Sequence, residues 1–236
     1  MAKIRMSIAK MLGGRTDPEN LSLSRFVKSV AKTVPNGACV LDAGSGSKQY
    51  SGYFSHAKYF SIDFMKSKRA YTKPDMVGDV ELLPLKTEIF DAILNTQVLE
   101  HVPHPDSVIS EFYRILKPKG RLFLTVPQDE GVHEAPYDFF RYTRFGLANL
   151  LTEKKFKNLD IKPRGGVFWQ LAFISEQLPH IMIPKAKNSI SNALLIVIRA
   201  PFIAFFGVIL PFIFFHLDWL DKDKHNTLGY ECVCEK

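Results

Sequence analysis

The chain has 236 residues, 46% hydrophobic and 23% charged, enough for a full core in one elaborated domain and unlike a low-complexity or disordered chain. A formal net charge of +7 suits an anionic membrane face, an acidic ligand or nucleic acid and chooses none of them. Cys39, Cys232 and Cys234 form an odd set without a CxxC pair, so a reduced, cytoplasmic setting is expected and a metal site is not.

Met1–Arg15 lacks a continuous apolar core, so no secretory signal is expected there. Ile4, Ile8, Met11 and Leu12 recur at helical spacing among Lys3, Arg5 and Lys10. Two readings stand: a basic amphipathic helix on a membrane surface, or a helix resting on the domain. Asp17-Pro18 then starts a helix, with aspartate capping and proline in the first turn. Its apolar face is Leu23, Phe26, Val27, Val30, Ala31 and Val34, and Pro35-Asn36-Gly37 ends it.

Val40–Tyr50, VLDAGSGSKQY, is an apolar run that breaks into Gly44-Ser45-Gly46. That pattern predicts a buried parallel strand feeding a loop against a ligand. Glycine suits the loop because a missing Cβ permits positive φ and close backbone approach. Tyr59–Asp63 is a second apolar run, ending in an acid, at the distance after a Gly-rich turn where a carboxylate can grip ribose hydroxyls. Gly78-Asp79-Val80 and Leu82-Leu83-Pro84-Leu85 follow, then the apolar run Phe90–Asn95 and the segment Thr96–Val102, read as a short helix. A dehydrogenase fingerprint G-x-G-x-x-G is not met, because Gln49 stands at the last glycine.

Taken in this order, the motifs resemble the class I S-adenosylmethionine-dependent methyltransferases, in the broad type 11-like group, over Val40 to Gln128 and more weakly to Leu151. The family's third loop glycine is Lys48 here. The resemblance implies that Asp42, Gly44, Ser45, Gly46 and Asn95 face the methionine part of S-adenosylmethionine. It also implies that Asp63 holds the ribose and that Asp79 and Val80 meet the adenine. Asp42, Gly44–Gly46, Asp79 and Asn95 have a plain structural reading beside the functional one: a turn acid, a tight turn, a cap before Leu82 and a turn residue. An acid ending an apolar strand, as Asp63 does, has few structural reasons to be there.

Asp106–Lys117 reads as a helix with Val108, Ile109, Phe112, Ile115 and Leu116 inward, stopped by Pro118-Lys119-Gly120. Arg121–Val126 is the next strand, Phe145–Leu151 and Glu153–Phe156 suggest a helix, and Leu159–Lys162 a strand. Alternating strands and helices predict a doubly wound, Rossmann-like α/β sheet of about seven strands. The family resemblance makes it mostly parallel with an antiparallel last strand, Leu228–Cys234. The stretch His133–Thr143 resembles the HExPYDFFRYT segment of methyltransferases from surface-polysaccharide pathways. Tyr137, Asp138, Arg141 and Tyr142 could there grip a sugar or carboxylate; the other reading is a structural loop with Arg141 on Asp138. Methyl transfer is a direct displacement that needs alignment, and a general base where the acceptor holds a proton. His101 and His133 are the candidates, His101 alternatively capping its short helix.

Ala193–Leu217, ALLIVIRAPFIAFFGVILPFIFFHL, is long enough to span a bilayer, but Arg199, Pro201 and Pro211 interrupt it. Lys185 and Lys187 precede it. The expected organisation is a helical segment 1–36, a cofactor-binding core 37–164, an apolar helical insertion 165–226 and a terminal strand 227–236. The insertion reads as a membrane-dipping hairpin, a lid or a span. The acceptor is then an oxygen or nitrogen of a small-molecule, saccharide or lipid-linked compound, with the membrane surface a partner through 193–217. A non-catalytic membrane-associated module of the same fold is the alternative. Nucleic acid is not expected, since no basic run is interleaved with stacking aromatics. The oligomeric state stays open.

Overall fold

The computed structural model describes residues 12–65, 72–182 and 200–236. The expected amphipathic helix before Leu12, Lys185, Lys187 and residues 193–199 of the apolar run lie outside them.

Seven strands form one sheet: β1 Cys39–Ala43, β2 Lys58–Asp63, β3 Met76–Val77, β4 Phe90–Thr96, β5 Leu116–Pro127, β6 Lys157–Pro163 and β7 Gly229–Glu235. Their order is β3-β2-β1-β4-β5-β7-β6. β1 runs parallel to β2 and β4, β2 to β3, and β4 to β5. β7 lies antiparallel to β5, from Arg121 opposite Glu235 to Pro127 opposite Gly229. The fold class expected from the sequence is the fold observed, including the terminal strand that re-enters the sheet.

The central strands are apolar on both faces because helices cover both. Side chains alternate between two clusters, as the period of a strand requires. Leu41 and Ile93 point into one, with Ile109, Phe112 and Ile115 of α2 (Pro105–Ile115) and Leu147 and Leu151 of α3 (Arg144–Glu153). Val40 and Leu94 point into the other, with Phe26, Val27 and Val30 of α1 (Pro18–Ala31) and with Phe54. The Thr143 hydroxyl caps α3 by accepting from the Gly146 amide at 3.1 Å.

Two local expectations are corrected. The helix expected through Lys117 stops at Ile115, and β5 begins at Leu116. Phe90 pairs with Leu116 but Ala92 with Arg121, so Lys117–Gly120 is absorbed as an irregularity rather than as a helix end. The segment Thr96–Val102 is helical only as a 3-10 turn at Leu99–His101. β3 has two residues, too few for a hydrophobic pattern to register.

By internal contacts the chain divides into two units. One is Leu23–Lys162 with Gly229–Lys236; the other comprises the described residues of Met1–Ser22 and Pro163–Leu228. The second unit is built on α4 (Val167–Met182) and α5 (Ala200–Leu220), the latter containing a π-helical turn at Phe205–Ile209. Trp169 stacks on Phe215, with ring centroids 5.2 Å apart. Gly165, at φ +76°, leaves room for that indole: a Cβ there would sit 2.3 Å from the ring. The start of α4 is capped by carboxylates from the end of α5. Asp218 accepts from the Gly166 and Trp169 amides at 2.9 and 3.3 Å, and Asp221 from the Val167 amide at 2.8 Å. Lys224 closes the network on Asp218 at 2.6 Å.

Candidate active site

The apolar run of β1 ends at the carboxyl edge of the sheet, where the chain must turn away. Gly44 makes that turn at φ +81°, and a Cβ there would lie 2.3 Å from a Val98 methyl. The Gly44 and Ser45 amides both donate to the Ile62 carbonyl, at 2.8 and 3.1 Å. The loop is thereby fastened to the end of β2. Asp63, the last residue of β2, accepts from the Gly46 amide and the Met65 amide, both at 2.8 Å. Asp63 is 8% exposed, and each carboxylate oxygen keeps a second acceptor site.

Lys48 holds φ +55°, the left-handed conformation that suits a glycine, so the family's preference at this position has a backbone reason. Its ammonium is drawn to Asp75 at 2.8 Å. Asp75 also accepts from the Ser61 amide and hydroxyl, and the Lys48 contact leads the causes that hold its carboxyl below the usual range.

Asp42 is fully enclosed and accepts a short hydrogen bond from the Tyr59 hydroxyl. Burial pushes its pKa up to about 7, against the opposing effect of the Tyr59 hydroxyl. Its second oxygen, the Ser45 hydroxyl, the Asn95 side-chain oxygen and the Gln97 side-chain oxygen are all buried, with no hydrogen-bond partner among the described residues. Asn95 is oriented by its own amide, which donates to the Ala43 carbonyl at 2.8 Å. A buried acceptor without a donor is costly, and several at one strand edge ask for a ligand that brings donors. Asp79 accepts from the Glu81 amide at 2.9 Å, and Val80 is buried beside it in the sequence.

The segment after β4 and the loop after β5 meet at the same edge. The Phe139 and Phe140 amides donate to the Glu100 carbonyl, at 2.9 and 3.2 Å. Nδ1 of His101 lies 2.7 Å from the Tyr137 carbonyl, and the His101 and His133 rings meet edge to face at 4.7 Å. Burial holds the His101 pKa below its ordinary value. Arg141 grips Asp138 with two hydrogen bonds, at 2.7 and 3.0 Å, and keeps that carboxyl well below the usual carboxylate range. Asp138 also receives the His133 amide at 2.9 Å. Tyr137 is exposed, whereas Tyr142 is buried and donates to the Leu99 carbonyl at 3.0 Å. The contacts thus give Asp138, Arg141 and Tyr142 a loop-building role, and of this group only Tyr137 presents its side chain outward.

Residues 41–124 match the methyltransferase domain family. Malonyl-[acyl-carrier protein] O-methyltransferase of Methylococcus capsulatus is 35% identical over 101 residues, 37% of this chain and 37% of that protein. Demethylmenaquinone methyltransferase of Mycobacterium tuberculosis is 28% identical over 106 residues, 42% of this chain and 45% of that one. The solved structure of phosphoethanolamine N-methyltransferase 2 of Haemonchus contortus, with S-adenosyl-L-methionine, superposes with a TM-score of 0.56 at 14% identity. That superposition covers 92% of this chain and 52% of the other, and it speaks to the fold.

The family match lies on residues 41–124, less than half of the chain, and the fold around it is that of S-adenosylmethionine-dependent methyltransferases. The match spans less than half the length of these curated relatives. In the methyltransferase domain the fold gathers Asp42, Gly44, Ser45, Gly46, Asp63 and Asn95 at one strand edge. Sequence reasoning did not anticipate that Tyr59 and Gln97 stand beside these residues. Tyr59 lies directly across from Val40 on the neighbouring strand, a relation only the sheet register reveals. Gln97 had a local signal in hindsight, since it sits in a turn at φ +52°.

Proposed function

We propose that the chain is an S-adenosylmethionine-dependent methyltransferase acting on an oxygen or nitrogen of a small-molecule, saccharide or lipid-linked acceptor. The observation that carries it is the set of buried acceptors around Asp42, Ser45 and Asn95, next to a Gly-rich turn tied to the acid of β2. These residues fit the cofactor: acceptors for an ammonium, backbone amides for a carboxylate and a free side of Asp63 for two hydroxyls. When bound, S-adenosylmethionine supplies a methyl group on a positively charged sulfur, already activated for displacement.

The protein's share is then placement and exclusion of water. Asp63 holds the ribose hydroxyls while Gly46 keeps its carboxylate oriented. Asp42, ionised by the incoming positive charge, faces the amino group, and Asn95 is locked by Ala43 beside it. Asp79 and Val80 meet the adenine. His101, whose burial disfavours the charged ring, is the base that takes the acceptor's proton, with His133 against its ring. Tyr137 contacts the acceptor. Calorimetric titration with S-adenosylmethionine tests the reading: the full chain binds, and Asp63→Ala does not bind at comparable concentration. Unaltered affinity in a folded Asp63→Ala chain overturns it.

The lipid-linked acceptor draws support from α5. It has 21 residues, is long and apolar enough to cross a membrane, and only 11% of its most apolar stretch is buried. Phe205, Ile209 and Ile213 are exposed on it, and Trp219, 67% exposed, ends it with Lys222 over its ring at 5.7 Å. An aromatic–basic pair at the end of an apolar helix is the pattern of a membrane interface. α4 adds exposed Leu171, Ile174, Ile181 and Met182. The full chain is expected to float with liposomes, and Ile209→Glu/Ile213→Glu to remain in the soluble fraction. A wild-type chain that stays soluble removes the membrane part and leaves the enzyme reading in place.

A further inference from the structure

Glu100, His101 and His133 offer one ligating atom each, and these atoms lie within 4.8 Å of one another. Glu100 and His101 come from the 3-10 turn after β4, His133 from the loop after β5. Nε2 of His101 is 3.8 Å from the Glu100 carboxylate.

The far side of each ring decides what the near side can do. Nδ1 of His101 lies 2.7 Å from the Tyr137 carbonyl, and Nδ1 of His133 lies 3.0 Å from the Gly131 carbonyl. A carbonyl oxygen only accepts, so Nδ1 of His101 carries the proton and its Nε2 keeps its lone pair, whereas Nδ1 of His133 also meets the Arg141 guanidinium, a donor, at 3.5 Å, so that ring can offer either nitrogen. A backbone carbonyl behind the ring is how metal-bound histidines are usually held. The surrounding charge is favourable as well. Glu130 and Asp138 carboxylates lie 3.8 and 3.7 Å from His133 Nδ1. Among the described residues the cation facing it is Arg141, which approaches His133 Nδ1 to 3.5 Å but is committed to Asp138 and to the Glu130 and Gly131 carbonyls.

We propose that Glu100, His101 and His133 bind a divalent transition-metal ion, zinc the leading candidate, with a coordination position left for the acceptor's oxygen. Two histidines and one carboxylate with an open position is a ligand set that zinc uses in catalytic sites. The role rests on the acceptor reaching this edge, as in the methyltransferase reading. An ion held there would occupy the His101 lone pair and so would take over from His101 as the group that activates the acceptor, whose bound hydroxyl would lose its proton to solvent. Its oxygen then forms the bond to the methyl carbon while the carbon–sulfur bond breaks and its electron pair returns to sulfur. The cysteine pattern could not announce such a site, because no ligand is sulfur and His133 is distant in the chain.

The experiment uses the full chain, stripped with a chelator and desalted. Zinc is titrated in competition with a chromogenic chelator, and cobalt(II) is added separately to read its visible absorption. The expected result is one ion per chain and cobalt bands of a low-symmetry site. His133→Ala and His101→Ala are expected to weaken zinc binding by more than about tenfold, and surface His104→Ala to leave it unchanged. Glu100 is fully buried, so the His133 variant, on the loop, is the deciding one. A wild-type chain that takes up no zinc, or a His133→Ala chain that binds it as tightly as wild type, overturns the proposal. Calorimetry with S-adenosylmethionine on the same metal-free protein separates the two readings: its failure removes the cofactor assignment and leaves the metal result standing.

Discussion

The Asp63 carboxylate accepts the Gly46 amide at 2.8 Å, so the acid that ends β2 and the turn that follows β1 are one rigid element. The same carboxylate serves the loop and, in our proposal, the ribose. Asp63→Ala is therefore expected to lower S-adenosylmethionine affinity by about 10- to 100-fold, the range for losing a charged hydrogen-bond partner. Asp63→Asn, which retains one acceptor oxygen, falls between it and wild type. Calorimetry reads both, with circular dichroism confirming that each variant is folded.

Asp42 gives affinity a pH dependence. Its pKa of about 7 lies above the ordinary value of 3.8, so below pH 7 the folded protein holds it neutral. An ammonium ligand needs it ionised. Affinity is expected to rise by about tenfold per pH unit up to pH 7 and then level off. Tyr59→Phe removes a hydrogen bond that favours the carboxylate, so the break moves to higher pH. A flat profile between about pH 5 and pH 8 would separate Asp42 from the cofactor's amino group.

The same group shapes stability, with the opposite sign. Its folded pKa is raised, so stabilisation is fully present below the unfolded value and is lost as pH rises toward 7. Between those limits the unfolded chain binds fewer protons than the folded one. Asp42→Asn is expected to remove this decline of a few kcal/mol, read as a flatter chemical-denaturation midpoint across that window.

Gly44→Ala combines a left-handed backbone with a methyl placed 2.3 Å from Val98. A loss of about 2–4 kcal/mol is expected from overpacking and backbone strain together. Gly44→Ala/Val98→Ala should recover the packing part alone. Thermal unfolding of the two variants checks this; full recovery would mean that φ at this position carries no cost.

Asp218 and Asp221 hold the amides at the start of α4 from the end of α5. Asp218→Ala removes a buried acceptor and leaves the Gly166 amide and the Lys224 ammonium without it, an effect of about 2–4 kcal/mol. Hydrogen exchange is expected to speed up in α4 and the last turns of α5. Protection of β1, β4 and β5 should be unchanged, since their contacts lie in the other unit.

Much of this protein is readable from residue order alone. Apolar strands, an acid closing the second of them and glycines after the first announce a doubly wound sheet and its ligand edge, because burial and backbone sterics act locally on sequence. The terminal strand was readable for the same reason: Cys232 and Cys234 share a face under a period of two, and both are buried against β5. What only tertiary structure decided concerns partners far apart in the chain. The Tyr59 hydroxyl on Asp42, the Tyr142 hydroxyl on the Leu99 carbonyl, Lys48 on Asp75 and the meeting of His133 with Glu100 and His101 all follow from sheet register and loop crossing. A side chain's chemistry is written in its residue, but its neighbours, and so its charge state and task, are set by the fold that brings them within reach.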